Sequence, residues 1–273
     1  VQRAAAVLRR SPAALLTDID GTISEMAPAP NLALIDANAL ESLESLSRRL
    51  ALVGVVTGRA LSDAMRLTGR PDLLHVGNHG YERLHLGVER SAAGVTPYLS
   101  AVAEAAAAVR SASMLDADLE GVIVENKRYT ASCHYRLTTA PNKAEATIRG
   151  IIEPIAEAAG LTISTGKMVL EVRPPLTVNK GVAIAELIAE HELRGAVFFG
   201  DDVTDIDGFD AVRAHRAATD FDGLAVAIVT PDSNPAVAAA ADLALHGVRE
   251  CLEVLRRLAV LLGSDAAANQ GAG

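Results

Sequence analysis

The first third of the chain alternates short apolar runs with amphipathic stretches. Ala13–Thr17 and Leu52–Val56 are mostly apolar, and each run is followed by a polar turn that contains glycine. Such runs predict strands that are buried on both faces of a parallel sheet. Between them, leucines recur at helical spacing over residues 32–50, which predicts an amphipathic helix. This order of strand, helix and strand predicts a doubly wound α/β sheet.

The pattern changes over residues 94–175. There, strand-like runs follow one another across tight turns and the helices stand apart from them, which is typical of an α+β unit. After residue 175 the first pattern resumes, with a helix and then a buried strand that ends at Gly200. We therefore expect a core domain made of residues 1–93 and 176–273, with residues 94–175 inserted as a second domain. The Ala- and Gly-rich tail after residue 263 is predicted to be disordered.

Composition limits the class of protein. Half of the 273 residues are hydrophobic, but with four Tyr, four Phe and no Trp the core must be built from aliphatic residues. The net charge of −9 argues against nucleic acid as a partner, because phosphate-backbone binding needs a dense basic surface. No run approaches the ~18 apolar residues of a membrane span. Cys133 and Cys251 form no CxxC pair, which favours a reducing compartment. We expect a cytoplasmic monomer with no nucleic-acid or membrane partner.

Two carboxylates directly follow the first predicted strand, in Asp18-Ile19-Asp20-Gly21-Thr22. Ligands of open α/β sheets bind beyond the carboxyl ends of the strands. Side chains two residues apart on an extended backbone point to the same side, so Asp18 and Asp20 can address one substrate. Taken alone, the segment fits equally well a loop whose aspartates cap a helix.

Other predicted strands also end in polar groups: Thr57 with Arg59, and Asp201 with Asp202 and Asp205. In a doubly wound sheet these ends can converge with Asp18 and Asp20 on one crevice. Carboxylates that are so close repel one another unless a cation is present, and a hard divalent ion with oxygen ligands, Mg²⁺, is the simplest one. The candidate metal ligands are Asp18, Asp20, Asp201, Asp202 and Asp205. For Asp202 and Asp205, action through water or orientation of a lysine stays open.

A phosphoryl-transfer mechanism follows from these groups. Lys180, at the start of the next predicted helix, can supply a compact positive charge to a phosphate, and Thr57 can donate from its hydroxyl. Asp18 would attack phosphorus and form an aspartyl-phosphate. Asp20 would protonate the leaving alkoxide and then deprotonate the hydrolytic water. The candidate catalytic residues are Asp18, Asp20, Thr57 and Lys180.

These residues resemble the motifs of a known superfamily. The segment from Asp18 to Thr22, the strand-terminal Thr57, Lys180, and Gly200-Asp201-Asp202 with Asp205 resemble the four motifs of the haloacid-dehalogenase superfamily of phosphotransferases. The resemblance implies a Rossmann-like core of that type. The inserted domain is similar to the α/β cap of the C2 type, which selects the substrate.

Further segments resemble the trehalose-6-phosphate phosphatase family. They are Val56-Thr57-Gly58-Arg59, Gly77-Asn78-His79-Gly80, Val124-Glu125-Asn126-Lys127, His134-Tyr135-Arg136, Leu170-Glu171-Val172-Arg173-Pro174 and Gly200 to Asp205. The resemblance implies Mg²⁺-dependent hydrolysis of trehalose 6-phosphate to trehalose and phosphate. It implies sugar binding by eight residues: Arg59, Asn78 and His79 in the core, and Glu125, Lys127, His134, Arg136 and Glu171 in the cap.

Other functions and roles stay open at this point. A phosphatase for another sugar phosphate, such as sucrose phosphate or a glucosyl- or mannosyl-phosphoglycerate, would need the same core. A non-catalytic sugar-phosphate sensor is a third reading, but it has no use for an acid/base beside a nucleophile. His134 could be a hydrogen-bonded core histidine, and Glu171 could form a cross-strand salt bridge with Arg173.

Overall fold

The chain divides into two units, each of which has its own sheet. The computed structural model describes residues 1–27 and 30–270. The core unit consists of residues 1–90 and 178–273, and the inserted unit of residues 91–177. The predicted domain bounds, 93/94 and 175/176, lie within a few residues of these limits. Within the described ranges, no helix is both long and apolar enough to cross a membrane.

Both units mix strands and helices. Over the described residues the strands are β1 (Ala13–Thr17), β2 (Leu52–Val56), β3 (Leu74–Gly77), β4 (Glu82–His85), β5 (Val88–Ser91), β6 (Ile123–Asn126), β7 (Ala131–His134), β8 (Thr162–Gly166), β9 (Val169–Arg173), β10 (Gly195–Gly200), β11 (Asp222–Val229) and β12 (Leu243–His246). The α-helices are α1 (Gln2–Leu8), α2 (Ala37–Ser47), α3 (Leu61–Thr68), α4 (Leu99–Ser113), α5 (Pro141–Ala159), α6 (Lys180–Glu190), α7 (Val203–Ala218), α8 (Pro235–Ala240) and α9 (Gly247–Gln270).

The core sheet confirms the predicted doubly wound architecture. Its strand order is β12-β11-β10-β1-β2-β3-β4-β5, and the strands from β12 to β3 run parallel. Strand β4 pairs antiparallel with β3. In the centre of the sheet, Thr17 is in register with Phe199 on one side and with Val55 on the other. This register brings the carboxyl ends of β1, β2 and β10 to one edge of the sheet.

Helices cover both faces of the core sheet. Ala13 and Leu15 of β1 belong to a buried cluster with residues of α1, α2 and α9. Ala14 and Leu16 belong to a second cluster with residues of α6 and α7. Because consecutive side chains of a strand point to opposite faces, a strand that is covered on both sides must be apolar throughout. This explains the unbroken apolar run of β1.

The inserted unit is a four-stranded antiparallel sheet with helices on one face. Its strand order is β6-β7-β9-β8. Ala131 and Cys133 of β7 are buried in a cluster with residues of α4 and α5. Ser132 and His134 alternate with them and therefore lie on the other face. We call this other face the polar face, because cross-strand pairing places Glu125 and Glu171 beside Ser132 on it.

Two predicted elements have different bounds. The helix expected over residues 32–50 begins at Ala37, because the Asp36 carboxylate accepts a hydrogen bond from Asn38 N at 2.8 Å and caps it there. The tail expected to be disordered after residue 263 is helical to Gln270, as part of α9. Its alanines have the highest intrinsic helix propensity and extend the last turns of the helix. Residues 271–273 lie outside the described chain.

Candidate active site

The nucleophile candidate Asp18 lies at the carboxyl end of β1. Its backbone N–H donates to Phe199 O at 2.8 Å, which continues the pairing of β1 with β10. One carboxylate oxygen, Oδ1, accepts from Ile19 N at 2.6 Å, and Oδ2 accepts from Lys180 Nζ at 2.7 Å. The side chain is buried. Asp18 is therefore a carboxylate that is held in one orientation at the centre of the sheet edge.

Lys180 lies between two carboxylates. It is the first residue of α6, after Asn179, whose side chain caps the helix by accepting from Val182 N at 2.8 Å. Its Nζ donates to Asp18 Oδ2 and to Asp205 Oδ1, both at 2.7 Å, and the side chain is only 1% exposed. Although burial alone would lower it, the negative charges of the two carboxylates hold the pKa of Lys180 above its ordinary value. The lysine is a fixed positive charge.

Both carboxylate oxygens of Asp205 accept hydrogen bonds from groups of the protein. Oδ1 accepts from Lys180, and Oδ2 accepts from the backbone N–H groups of Asp201 and Asp202 at 3.1 and 3.0 Å. It lies in the first turn of α7, where a carboxylate also complements the helix dipole. Asp205 therefore fixes both the lysine and the turn that carries Asp201.

The segment Gly21-Thr22 holds Asp201 in place. Thr22 Oγ1 donates to Asp201 Oδ1 at 3.0 Å. Gly21 has φ +72, and a Cβ at this position would lie 2.0 Å from Asp201 Oδ2. Only glycine combines this left-handed backbone with such a close approach. The turn after Asp20 therefore serves to place the Asp201 carboxylate beside Asp18.

The acidic cluster fits a divalent cation. Asp18, Asp201 and Asp205 each offer a carboxylate oxygen, and these oxygens all lie within 4.8 Å of one another. Burial, followed by the negative charges of Asp18 and Asp205, raises the pKa of Asp201 to about 8. Burial, only partly opposed by the charge of Lys180, raises the pKa of Asp18 to about 6. Such mutual repulsion between hard oxygen donors is what a bound divalent ion relieves.

Asp20 and Asp202 do not belong to this three-carboxylate cluster. Asp20 accepts from Arg59 Nε at 2.5 Å through Oδ2 and from Arg59 Nη2 at 2.7 Å through Oδ1, a bidentate ion pair. Arg59 also donates from Nη1 to Asp63 Oδ2 at 2.6 Å. Asp202 is exposed at the N-cap of α7. The structure thus brings Arg59, predicted as a sugar ligand, to the acid/base candidate Asp20.

The loops after β2 and β3 are bonded to each other. Thr57 is buried, its backbone N–H donates to Val76 O at 2.9 Å, and its carbonyl accepts from His79 N at 2.9 Å. Asn78 N donates to Arg59 O at 2.7 Å. Asn78 and His79 both have left-handed backbones, with φ 49 and 57, which cost energy for residues other than glycine. A Cβ at Gly58 would lie 2.5 Å from two ring atoms of His79, so the ring lies directly against that glycine.

The Asn78 side chain is hydrogen-bonded to Glu82, a residue that the sequence did not single out. Its Nδ2 donates to Glu82 Oε1 at 2.6 Å, and the same oxygen accepts from Leu61 N, in the first turn of α3, at 2.8 Å. Both Asn78 and Glu82 are buried. Asp63 was missed as well, although its position four residues after Arg59 is a spacing at which opposite charges pair. No comparable spacing pattern in the sequence marks Glu82, which is buried.

The polar face of the inserted unit gathers most of the predicted cap residues. Glu125 Oε2 lies 3.5 Å from His134 Nε2 and 3.8 Å from Lys127 Nζ. Glu171 is on the same face, and within the described residues it makes no ion pair with Arg173. His134 is 39% exposed and is therefore no core histidine. Arg136 lies past the end of β7 and is exposed, and its Nη2 is 3.3 Å from Lys167 O.

The fold and this carboxylate–lysine site define a class, the haloacid-dehalogenase type of α/β core with an inserted second domain. A crystal structure of a "trehalose-6-phosphate phosphatase related protein" superposes with a TM-score of 0.76 at 24% identity, over 92% of this chain and 99% of that chain. A likeness at that identity supports the fold. The sequence model of the family described as trehalose-phosphatase matches residues 16–247, and the chain belongs to this family.

Curated relatives include mycobacterial proteins. An uncharacterised glycosyl hydrolase of Mycobacterium tuberculosis is 35% identical over 215 residues, which are 75% of this chain and 15% of that protein. The trehalose-phosphate phosphatase of Mycobacterium marinum is 32% identical over 216 residues, 75% of this chain and 53% of that protein. The chain thus spans about half the length of the phosphatase it matches and a small part of the hydrolase.

Proposed function

We propose that the chain hydrolyses trehalose 6-phosphate to trehalose and phosphate through an aspartyl-phosphate on Asp18. The observation that carries this proposal is the buried arrangement of Asp18, Lys180 and Asp205 at the carboxyl end of β1, in a chain of the trehalose-phosphatase family. A carboxylate that is held by a lysine, beside other carboxylates, suits attack on a phosphoryl group whose charge must be neutralised.

Each core residue has a role in this proposal. Asp18 attacks phosphorus, and Lys180 neutralises charge that the carboxylate and the phosphoryl oxygens share. Asp20 protonates the leaving sugar oxygen and then takes a proton from the water that hydrolyses the intermediate. Thr57 donates its hydroxyl to a phosphoryl oxygen. The core residues Arg59 and His79 border the site, and Asn78 supports it through the loop that it shares with them.

We assign Mg²⁺ to the acidic cluster. Asp18 and Asp201 would hold it directly, and Asp205 would act mainly through Lys180, since both of its oxygens already accept hydrogen bonds. Asp20 and Asp202 flank the cluster in sequence and would contribute through backbone or water. When bound, Mg²⁺ supplies positive charge that lets the buried carboxylates stay ionised next to a phosphate.

The inserted unit is proposed as the substrate-specificity domain. Its polar face offers acceptors, Glu125 and Glu171, together with donors, Lys127 and His134, and Arg136 lies just past the end of β7. Sugar hydroxyls both donate and accept, so a mixed set of this kind suits a disaccharide. A reducing, cytoplasmic setting is part of the proposal, because both cysteines are free and buried. The monomeric state stays a prediction, which light scattering on the purified chain measures.

A panel of sugar phosphates tests the proposed function. The kcat/KM of the purified chain with Mg²⁺ is compared on trehalose 6-phosphate, sucrose 6-phosphate, glucose 6-phosphate and a glucosyl-phosphoglycerate. We expect trehalose 6-phosphate to be preferred and Asp18→Asn to abolish phosphate release. An equal or higher kcat/KM on another sugar phosphate would overturn the substrate, and tight binding without turnover would identify a sensor instead.

A further inference from the structure

Arg59 is held by two carboxylates at once. Its Nε and Nη2 form the bidentate pair with Asp20, while Nη1 donates to Asp63 Oδ2 at 2.6 Å. The Arg59 side chain is only 10% exposed, whereas those of Asp20 and Asp63 are 28% and 31% exposed. The hydrogen bonds that Arg59 donates to Asp20 are the main reason that the pKa of Arg59 lies above its ordinary value. The guanidinium is thus clamped between the loop after β1 and helix α3.

Asp63 is itself held in place. It lies in the first turn of α3, and its second oxygen, Oδ1, accepts from Arg66 Nη2 at 2.6 Å and from Nε at 3.1 Å. Burial alone would raise its pKa, but hydrogen bonds and charge from Arg66 and Arg59 keep it below the ordinary value. A continuous chain of ion pairs therefore runs from Arg66 through Asp63 and Arg59 to Asp20.

We propose that Asp63 is a positioning residue for the reaction, which holds Arg59 so that Arg59 in turn aims the acid/base carboxylate of Asp20. The proposal rests on the proposed phosphatase function and deepens it. Arg59 occupies one lone pair on each Asp20 oxygen, which fixes the plane of the carboxylate and leaves the remaining lone pairs for a leaving-group oxygen or a water. Without Asp63, the long arginine side chain loses one of the contacts that fix its orientation, and the Asp20 carboxylate is held less rigidly.

This role differs from that of a general structural ion pair. Proton transfer needs Asp20 within hydrogen-bond distance of the oxygen that it protonates, so a small loss of orientation reduces the rate of that step. A substrate whose leaving group is stable as an anion does not need this proton. Loss of Asp63 should therefore lower kcat/KM for a substrate whose leaving group is a sugar alkoxide. It should barely change kcat/KM for a substrate whose leaving group is an aryloxide.

The test compares two substrates on one preparation of Asp63→Asn. We expect kcat/KM for trehalose 6-phosphate to fall by roughly 10- to 100-fold, the usual cost of removing such a supporting contact. For p-nitrophenyl phosphate, kcat/KM should stay within about threefold, because it reports steps up to aspartyl-phosphate formation and this leaving group departs without a proton. The ratio of the two values is unaffected by any fraction of protein that fails to fold.

Controls separate this proposal from its rivals. Asp72→Asn removes an exposed aspartate of the same unit and should leave both kcat/KM values unchanged. In a double-mutant cycle, Asp63→Asn should cost little more once Arg59→Lys is present, because both act through one contact. Equal losses on the two substrates, or additive losses in the cycle, would overturn the positioning role. Failure of the wild-type chain to hydrolyse any sugar phosphate would instead overturn the proposed function.

Discussion

Lys180 and Asp205 form a fully buried ion pair, with Nζ 2.7 Å from Oδ1 and the two side chains 1% and 0% exposed. Removal of the Asp205 charge leaves Lys180 with Asp18 as its remaining carboxylate partner. In Asp205→Asn the amide keeps the shape of the carboxylate but has only one acceptor oxygen, so either Lys180 or the backbone N–H groups of Asp201 and Asp202 lose their acceptor. We expect the free energy of unfolding to fall by about 1.5–3 kcal/mol, the cost of losing one hydrogen bond to a charged group. Urea unfolding that is followed by circular dichroism measures it.

A matched control for that substitution lies on the surface. Asp220 pairs with Arg10 at 2.7 Å, but its side chain is 80% exposed. Solvent screens an exposed pair of this kind, so Asp220→Asn should leave the free energy of unfolding nearly unchanged. Equal destabilisation by Asp205→Asn and Asp220→Asn would show that burial of the Lys180 pair has no energetic role.

Gly21 gives a prediction about the metal cluster. Gly21→Ala would place a Cβ 2.0 Å from Asp201 Oδ2, on a backbone with φ +72. We expect Mg²⁺ affinity, measured by calorimetry, to fall by tenfold or more, because Asp201 must move away from Asp18. Gly69→Ala is the control: it has φ +57 but nothing within 4 Å of the added Cβ. It should cost about 1–2 kcal/mol of backbone strain and leave Mg²⁺ affinity unchanged. Similar affinities for the two variants would contradict a role of Gly21 in placing Asp201.

The interior of the core could be predicted from sequence, whereas its edges could not. Strands such as β1 and β10 are covered on both faces, so their residues form unbroken apolar runs. Strand β5 is exposed along its whole length at the sheet edge, and its residues carry no period that marks a strand. The hairpin β4–β5 and the edge strand β12 were therefore not predicted. Burial, which is the source of the sequence signal, is missing there.

The candidate site shows the same division. The convergence of Asp18, Lys180 and Asp201 could be predicted because parallel strands and the helices that follow them meet at one sheet edge. The partners of Arg59 and Asn78 could not, since they depend on how far a side chain reaches across two loops. The Asn78 side chain lies against Glu82, and that contact arises from the left-handed turn after β3. Which side chains are free to meet a substrate is thus decided by loop geometry.

The raised pKa of Asp201 predicts how stability depends on pH without metal. Its pKa is about 8 in the folded chain and about 3.8 in the unfolded chain, so the folded state binds the extra proton between these values. The contribution of this proton to the free energy of unfolding is fully present below about pH 4 and is lost as pH rises through about 8. In EDTA, the free energy of unfolding should fall with pH by up to about 1.4 kcal/mol per unit for this proton.

Asp201→Asn isolates that contribution. The variant keeps an oxygen for Thr22 but cannot ionise, so its free energy of unfolding should fall less steeply between pH 4 and about 8 than that of the wild type. Saturating Mg²⁺ should reduce the pH dependence of the wild type, because metal binding requires the ionised carboxylate and releases the proton. If the free energies of unfolding of the wild type and Asp201→Asn fall in parallel with pH, the pKa of Asp201 is not raised in the folded chain.

We expect Glu171 to act in binding of the sugar and not in the chemical step. It lies on the polar face beside Ser132, in register, and makes no ion pair within the described chain. If it accepts a hydrogen bond from a sugar hydroxyl, Glu171→Gln keeps an acceptor but loses its charge. It should lower kcat/KM for trehalose 6-phosphate by about 5- to 30-fold, because a hydrogen bond to a charged acceptor is about 1–2 kcal/mol stronger than one to a neutral acceptor. Hydrolysis of p-nitrophenyl phosphate, which lacks the sugar, should be unchanged. Glu153→Gln, on the exposed side of α5, controls for loss of charge on the same unit. Equal losses on both substrates would place the effect of Glu171 in the fold of the unit, because p-nitrophenyl phosphate carries no sugar for Glu171 to contact.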